Sequence, residues 1–169
     1  MTELGIGARV LRNEDDRFLN GRGQFLGDIH VPGCQEVCFL RSPVAHARII
    51  SIEIPEDAQG RVFTAEHFTT IKPIRAVGAA PGFNSSDYPP LSVGKVRFAG
   101  EPVAICMAPT RAEAEDLAQR IFVDYEELSA VVDMDAALQS DAAKVHESWP
   151  DNLVVEIMID EGDVDAAAE

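Results

Sequence analysis

The chain has 169 residues, 46% of them apolar and 25% charged, with 29 Asp/Glu against 14 Lys/Arg and a formal net charge of −15. It is long enough for one domain with its own core, its three cysteines (an odd number) suit a reducing compartment, and with no bilayer-length apolar run and no secretory leader at Met1-Thr2-Glu3-Leu4, a cytoplasmic protein without membrane attachment is expected. The acid excess lies almost wholly beyond residue 85, where five Lys/Arg face nineteen Asp/Glu; this repels phosphate backbones and argues against nucleic acid as a partner, leaving a solvated face or a docking surface for a basic partner.

Residues 1–19 are polar, with Val10, Leu11, Phe18 and Leu19 scattered among them, the pattern of an extended arm that packs on something else. Gly21, Gly23, Gly27, Pro32 and Gly33 then punctuate turns around a short strand at 24–26. Two longer strands are expected at 36–41 and 47–54, with Ser42-Pro43 as the break. In the second, Ile50, Ile52 and Ile54 alternate with Ser51 and Glu53 as in a half-buried strand. Thr64 caps a turn of helix through Phe68, and 71–91, rich in Pro, Gly, Ala and Ser without a period, is expected as a long functional or interfacial loop.

Residues 95–98 and 103–108 are short runs rich in β-branched and apolar residues, split by Gly100-Glu101-Pro102, and read as strand, turn, strand. Thr110 and Glu113 form a capping box, and Ala114, Leu117, Ala118 and Ile121 fall on one helical face. Residues 122–128 return to strand alternation, which completes a β-turn-β-α-β unit. Asp133 caps a short helix through Gln139, Trp149-Pro150 ends a linker, and 153–159 alternate as a final strand. There is no internal repeat.

Few residues invite chemistry. Gly21-Arg22-Gly23 lacks the preceding strand and following helix of a phosphate loop, so its glycines read as turn formers. Cys34 and Cys38 are four apart but have no second pair to complete a metal site, and both read as buried structural thiols; Cys106, between Ile105 and Met107, reads as core. Ser42 and His46, with Arg48 nearby, form a nucleophile and base only on paper, because Ser42 precedes a proline and nothing builds an oxyanion hole. His46 is expected to bond backbone at a strand start; His30, His67 and His146 are too scattered to form a ligand set. Glu101 is the carboxylate to watch, expected to accept backbone N–H bonds within its turn.

The segment VRFAGEPVAICMAPTRAEAEDLAQRIFVDYEELSAVVD, residues 96–133, closely resembles the a/b hammerhead domain that opens the large subunit of the molybdenum hydroxylases, the xanthine dehydrogenase and aldehyde oxidase family. RNEDDRFLNGRGQFLGDI (12–29) resembles that family's entry segment, and FLRSPVAHARII (39–50) its Arg-Ser-Pro-x-Ala-His-Ala strand pair. Asn152 and Gly162-Asp163-Val164-Asp165-Ala166-Ala167 also match, where the family's chain passes into its first molybdopterin-binding domain. Three positions depart from the pattern: Val44 stands where an aromatic or His is commoner, Gly27 precedes Asp28 where a second acid is common, and Gln59-Gly60-Arg61-Val62 replaces an apolar Pro-Gly-Val stretch, which shortens an edge strand.

The resemblance implies an α+β fold, a mixed β-sheet with a few short helices in the hammerhead arrangement. It divides the chain into an N-terminal arm (1–20), the hammerhead (21–132), and a linker with the truncated start of the molybdopterin-binding region (133–169). In such enzymes an aldehyde or N-heterocycle is hydroxylated with water-derived oxygen. The implied role of this chain is the N-terminal structural domain, or a small split subunit, of such an oxidoreductase, with no catalytic, cofactor-binding or metal-binding residue of its own. Molybdopterin dinucleotide with Mo, [2Fe-2S] and FAD are expected in the full complex. The implied partners are the molybdopterin-binding domains or large subunit, the iron-sulfur subunit and a flavin subunit. The alternative is a stand-alone, non-catalytic acidic assembly module. An end within residues 162–169 is the expectation for a truncated or split enzyme rather than an adaptor, and an apolar docking face should leave the isolated chain sticky.

Overall fold

A computed structural model describes residues 5–7, 12–159 and 161–163. The expectations at Val10, Leu11 and 164–167 lie outside the described residues. The chain forms two compact units, Met1–Cys34 and Gln35–Glu169.

In the first unit, part of the expected extended arm is instead a short helix, α1 (Asp15–Leu19). Asp15 and Asp16 lie in its first turn and Arg17 in its last, which matches the helix dipole. Phe18 then stacks on Phe25 at 5.7 Å, with the Arg12 and Arg17 guanidinium groups over the Phe18 ring. The strand expected at 24–26 does not form. Leu26–Asp28 is a 3-10 turn, closed by the Phe25 N–H donating to the Asp28 carboxylate at 2.9 Å, because a side-chain acceptor three residues on offers the backbone a local partner.

The second unit holds three small antiparallel sheets. Its strands are β1 (Glu36–Arg41), β2 (Ala47–Glu53), β3 (Val62–Thr64), β4 (Ile74–Arg75), β5 (Asp87–Tyr88), β6 (Lys95–Val96), β7 (Pro102–Ala108) and β8 (Phe122–Glu127), with α2 (Arg111–Gln119) between β7 and β8 and α3 (Met134–Ala137) after them. The sheet orders are β1-β7-β3, β6-β2-β8 and β4-β5. The fold is therefore α+β with few helices, as expected.

The strands on either side of Gly100-Glu101-Pro102 join different sheets: β6 pairs with β2, and β7 is the centre of the other sheet. This turn is thus a crossing point between sheets. The shortened edge strand survives as β3, three residues long, paired with β7.

Cys106, Ala104, Val62, Ala58, Leu117, Ala118 and Ile121 form one core cluster, and Ala47, Val96 and Val103 another. Ile52 and Val123 pack against both, so the clusters are continuous through β2 and β8. The helical stripe Ala114, Leu117, Ala118 is buried as its spacing requires, and Thr110 caps α2 by accepting the Glu113 N–H at 3.3 Å.

Three further expectations change. Strand β2 carries a bulge between Ile49 and Ser51, which breaks the Ile50/Ile52/Ile54 alternation and turns Ile50 outward. The 71–91 loop contains the β4-β5 ribbon, tied by Arg75 to Asp87 at 2.8 Å. Residues 153–159 are not a strand; their described backbone bond is the Asn84 N–H to the Val154 carbonyl at 2.8 Å, and a strand needs a ladder of such bonds.

Candidate functional site

Two features of the second unit stand out: the polar turn that crosses between sheets, and an apolar groove along β2. In the turn, the Glu101 carboxylate is buried and accepts the Arg97 backbone N–H in a short hydrogen bond, while the Arg97 guanidinium lies 3.6 Å away. The Ser42 N–H donates to the Glu101 carbonyl at 2.9 Å, the Gly100 N–H to the Ser42 carbonyl at 2.7 Å, and Arg41 Nη1 to the Gly100 carbonyl at 2.9 Å. Gly100 has φ +93°, a conformation that a side chain disfavours. Glu101 is therefore a structural turn carboxylate, as expected.

Ser42 and His46 are both buried but do not form a dyad. The Ser42 hydroxyl donates to the Val44 carbonyl at 2.7 Å and accepts the Val44 N–H at 3.2 Å. His46 Nδ1 is 2.7 Å from the Ser129 carbonyl, a contact that makes Nδ1 the donor, and its buried Nε2 has no partner among the described residues. Burial raises the Tyr125 pKa, and a hydrogen bond with Ser42 lowers it in part. Arg48 pairs with Glu126 on the exposed surface at 2.9 Å. The Ser42 hydroxyl and His46 Nδ1 are thus engaged with backbone carbonyls rather than with each other as nucleophile and base.

Gly21 follows α1 with φ +66°, its N–H donating to the Phe18 carbonyl at 3.1 Å, and Arg22 pairs with Asp16, so Gly21 ends a helix as a turn former. Cys34 is exposed, against the expectation of a buried thiol, because it closes a turn, its N–H donating to the Val31 carbonyl at 3.1 Å, rather than lying in a strand. Cys38 is half-buried and Cys106 buried. Among the described residues no three His, Cys, Asp or Glu side chains gather as metal ligands. Three cysteines are also one short of a Cys₄ cluster. The described donors do not fit a molybdenum or iron-sulfur centre of their own.

Sequence reasoning missed three contacts. His67 Nδ1 accepts the Thr64 N–H at 3.0 Å, completing the cap of the 3-10 turn Ala65–Phe68. Lys95, almost wholly buried, donates to Glu147 at 2.8 Å, and His146 stacks on Trp149 at 4.4 Å. The last two join side chains about fifty residues apart or within an irregular segment, where no periodicity marks them. The groove was equally hidden. It has a volume of about 880 Å³ and is lined by Ile50, Ile52, Ile54, Phe68, Ile71 and Val93, among others; Ile50, Ile71 and Val93 are exposed. An apolar groove of this size, with Ile50, Ile71 and Val93 exposed along it, suits a protein contact better than bond-making chemistry.

Residues 20–129 match the family model described as aldehyde oxidase and xanthine dehydrogenase, a/b hammerhead domain. The chain belongs to this hammerhead family. Among similar proteins, the nicotine 6-hydroxylase large subunit of Paenarthrobacter nicotinovorans is 36% identical over 172 residues, covering 99% of this chain and 21% of that protein. The crystal structure of quinoline 2-oxidoreductase from Pseudomonas putida 86 aligns with a TM-score of 0.81 at 41% identity, covering 86% of this hammerhead chain and 19% of the other. A Cu,Mo-CO dehydrogenase aligns with a TM-score of 0.73 at 31% identity, covering 88% and 19%. The hammerhead chain spans about a fifth of the length of the curated relatives it matches. Among the described residues no helix is long and apolar enough to cross a membrane.

Proposed function

We propose that this chain is the N-terminal structural domain, or a separately encoded small subunit, of a molybdenum hydroxylase that hydroxylates an aldehyde or N-heterocycle with oxygen from water. Within it, 1–20 act as an arm, 21–132 as the hammerhead, and 133–169 as the linker into the molybdopterin-binding region. The chain supplies no catalytic, cofactor-binding or metal-binding residue. It packs on molybdopterin-binding domains, near an iron-sulfur subunit, in a cytoplasmic complex that holds molybdopterin dinucleotide, [2Fe-2S] and FAD on its other parts.

The observation that carries this reading is the hammerhead match over residues 20–129. The exposed groove residues Ile50, Ile71 and Val93 add to it, since a face of this kind is normally covered by a partner. The test is to purify the chain from its own cell under mild conditions and to measure molybdenum, iron and native mass. Both metals in a larger complex support the reading. A metal-free species of 18.3 kDa supports the alternative, a stand-alone acidic assembly module.

A further inference from the structure

Residues 143–154 run irregularly over the second unit and are fastened at three points. Glu147 reaches back to Lys95 of β6 at 2.8 Å, and because Lys95 is buried while Glu147 is exposed, the acid is the group that compensates an otherwise desolvated ammonium. Trp149 is buried, and its Nε1 donates to the Ser85 carbonyl at 3.0 Å. Asn84 receives the far end, with its N–H on the Val154 carbonyl and its side chain on the Leu153 carbonyl, both at 2.8 Å. Asn152 braces the segment internally, accepting the Val145 N–H at 3.0 Å and donating to the Ala143 carbonyl at 3.0 Å.

His146 lies at the centre of these fastenings. Its ring stacks on Trp149 with centroids 4.4 Å apart and an interplanar angle of 27°. It is half-buried at the edge of a cleft of about 310 Å³ lined by Phe83, Asn84, Ser86, Trp149 and Asn152. The charged groups that act on it are Lys95, Arg97, Glu101 and Glu147. Two of these acids are already engaged, Glu101 by Arg97 and Glu147 by Lys95, so a proton on His146 adds a third cation to a site holding two. Nothing among the described contacts gives that third cation an acid of its own.

We propose that residues 143–154 are a pH-sensitive strap, closed over Lys95 while His146 is neutral and released when His146 is protonated. Burial, then Arg97 and Lys95, hold the His146 pKa below its ordinary value, and the pull of Glu101 and Glu147 only partly opposes them. The sign follows. The open strap binds the proton more readily than the closed one, so closure is complete above pH ~6.5 and weakens as pH falls below it. Glu147 acts in the same direction at lower pH, since its hydrogen bond to Lys95 lowers its pKa, and protonating it leaves Lys95 without its acid. The strap does not depend on the hydroxylase reading, because every contact in it lies within this chain.

Trp149 is the sole tryptophan, so its emission reports the strap alone. The experiment follows Trp149 fluorescence, and amide hydrogen exchange corrected for the intrinsic pH effect, on the 169-residue chain between pH 8 and pH 5. The expected result is that protection at 145–149 falls by about threefold or more while amides of β1 and β7 keep theirs, which separates strap release from global unfolding. H146Q should hold the strap closed across this range, and E147Q should open it at every pH. Wild-type protection that is flat with pH, or an unchanged pH dependence in H146Q, overturns the proposal, as does loss of β1 and β7 protection in step with the strap.

Discussion

Cys38 on β1 and Cys106 on β7 are direct partners in the antiparallel register, and both pack in the cluster beneath α2 with Leu117 and Ala118. Burial, with a smaller contribution from Cys38, pushes the Cys106 thiol up to about 11 from 9.0. A raised thiol pKa means that the folded state keeps its proton where the unfolded state has lost it. The stabilisation is therefore fully present below pH 9 and is lost as pH rises through about 11. Removing the thiol should flatten stability against pH in that window by about 2 kcal/mol, an order-of-magnitude figure. Urea midpoints of wild type and C106A at pH 8, 9 and 10.5, each normalised to pH 7, measure it; parallel curves would sink the argument.

The same geometry sets the order of thiol reactivity. Cys34 is exposed and Cys106 buried with a high pKa, so a thiol reagent at pH 8 should modify Cys34 first and Cys106 only after denaturant is added. Peptide mapping of a timed labelling reaction reads this directly. Early label on Cys106 would mean that the β1-β7 sheet opens easily.

Glu101 should matter for stability far more than its place in a loop suggests. E101A removes a buried acceptor from the Arg97 N–H and a partner from its guanidinium, whose Nε is already buried without a partner among the described residues. A loss of roughly 2–4 kcal/mol is expected. Chemical denaturation at constant m-value tests it, and a change below about 0.5 kcal/mol contradicts the role assigned to this turn.

T110A isolates a smaller effect. The Thr110 hydroxyl accepts the Glu113 N–H, and the Glu113 carboxylate accepts from the Thr110 N–H at 3.2 Å. Losing the cap should cost about 1 kcal/mol, measured by thermal or urea unfolding. A variant as stable as wild type would show that packing of Leu117 and Ala118 holds α2 without it.

The groove along β2 predicts the behaviour of the isolated chain. I50E places a charge on an exposed apolar residue of the groove and should reduce both self-association and binding of an apolar fluorescent dye, without lowering the unfolding midpoint by more than about 0.5 kcal/mol. Sedimentation and dye titration of the two proteins decide this. Unchanged association would move the sticky surface elsewhere, such as the exposed Ile157, Met158 and Ile159.

The sequence by itself determined the elements whose signals are local. The Thr110 capping box, the Ala114/Leu117/Ala118 stripe and the Glu101 contact to Arg97 rest on interactions within a few residues, so spacing alone reveals them, and the apolar runs of β1, β7 and β8 showed where strands lie though not what they pair with. The family motifs were legible for the same reason: they are contiguous words. Partnership was decided only by the tertiary structure. Nothing near Lys95 announces Glu147, nothing in β6 and β7 says that they enter different sheets, and the Ile50 bulge reverses an alternation that looked regular. The expected strand at 153–159 failed on the same ground, because its alternation is a property of the segment but a strand exists only when another strand supplies the ladder.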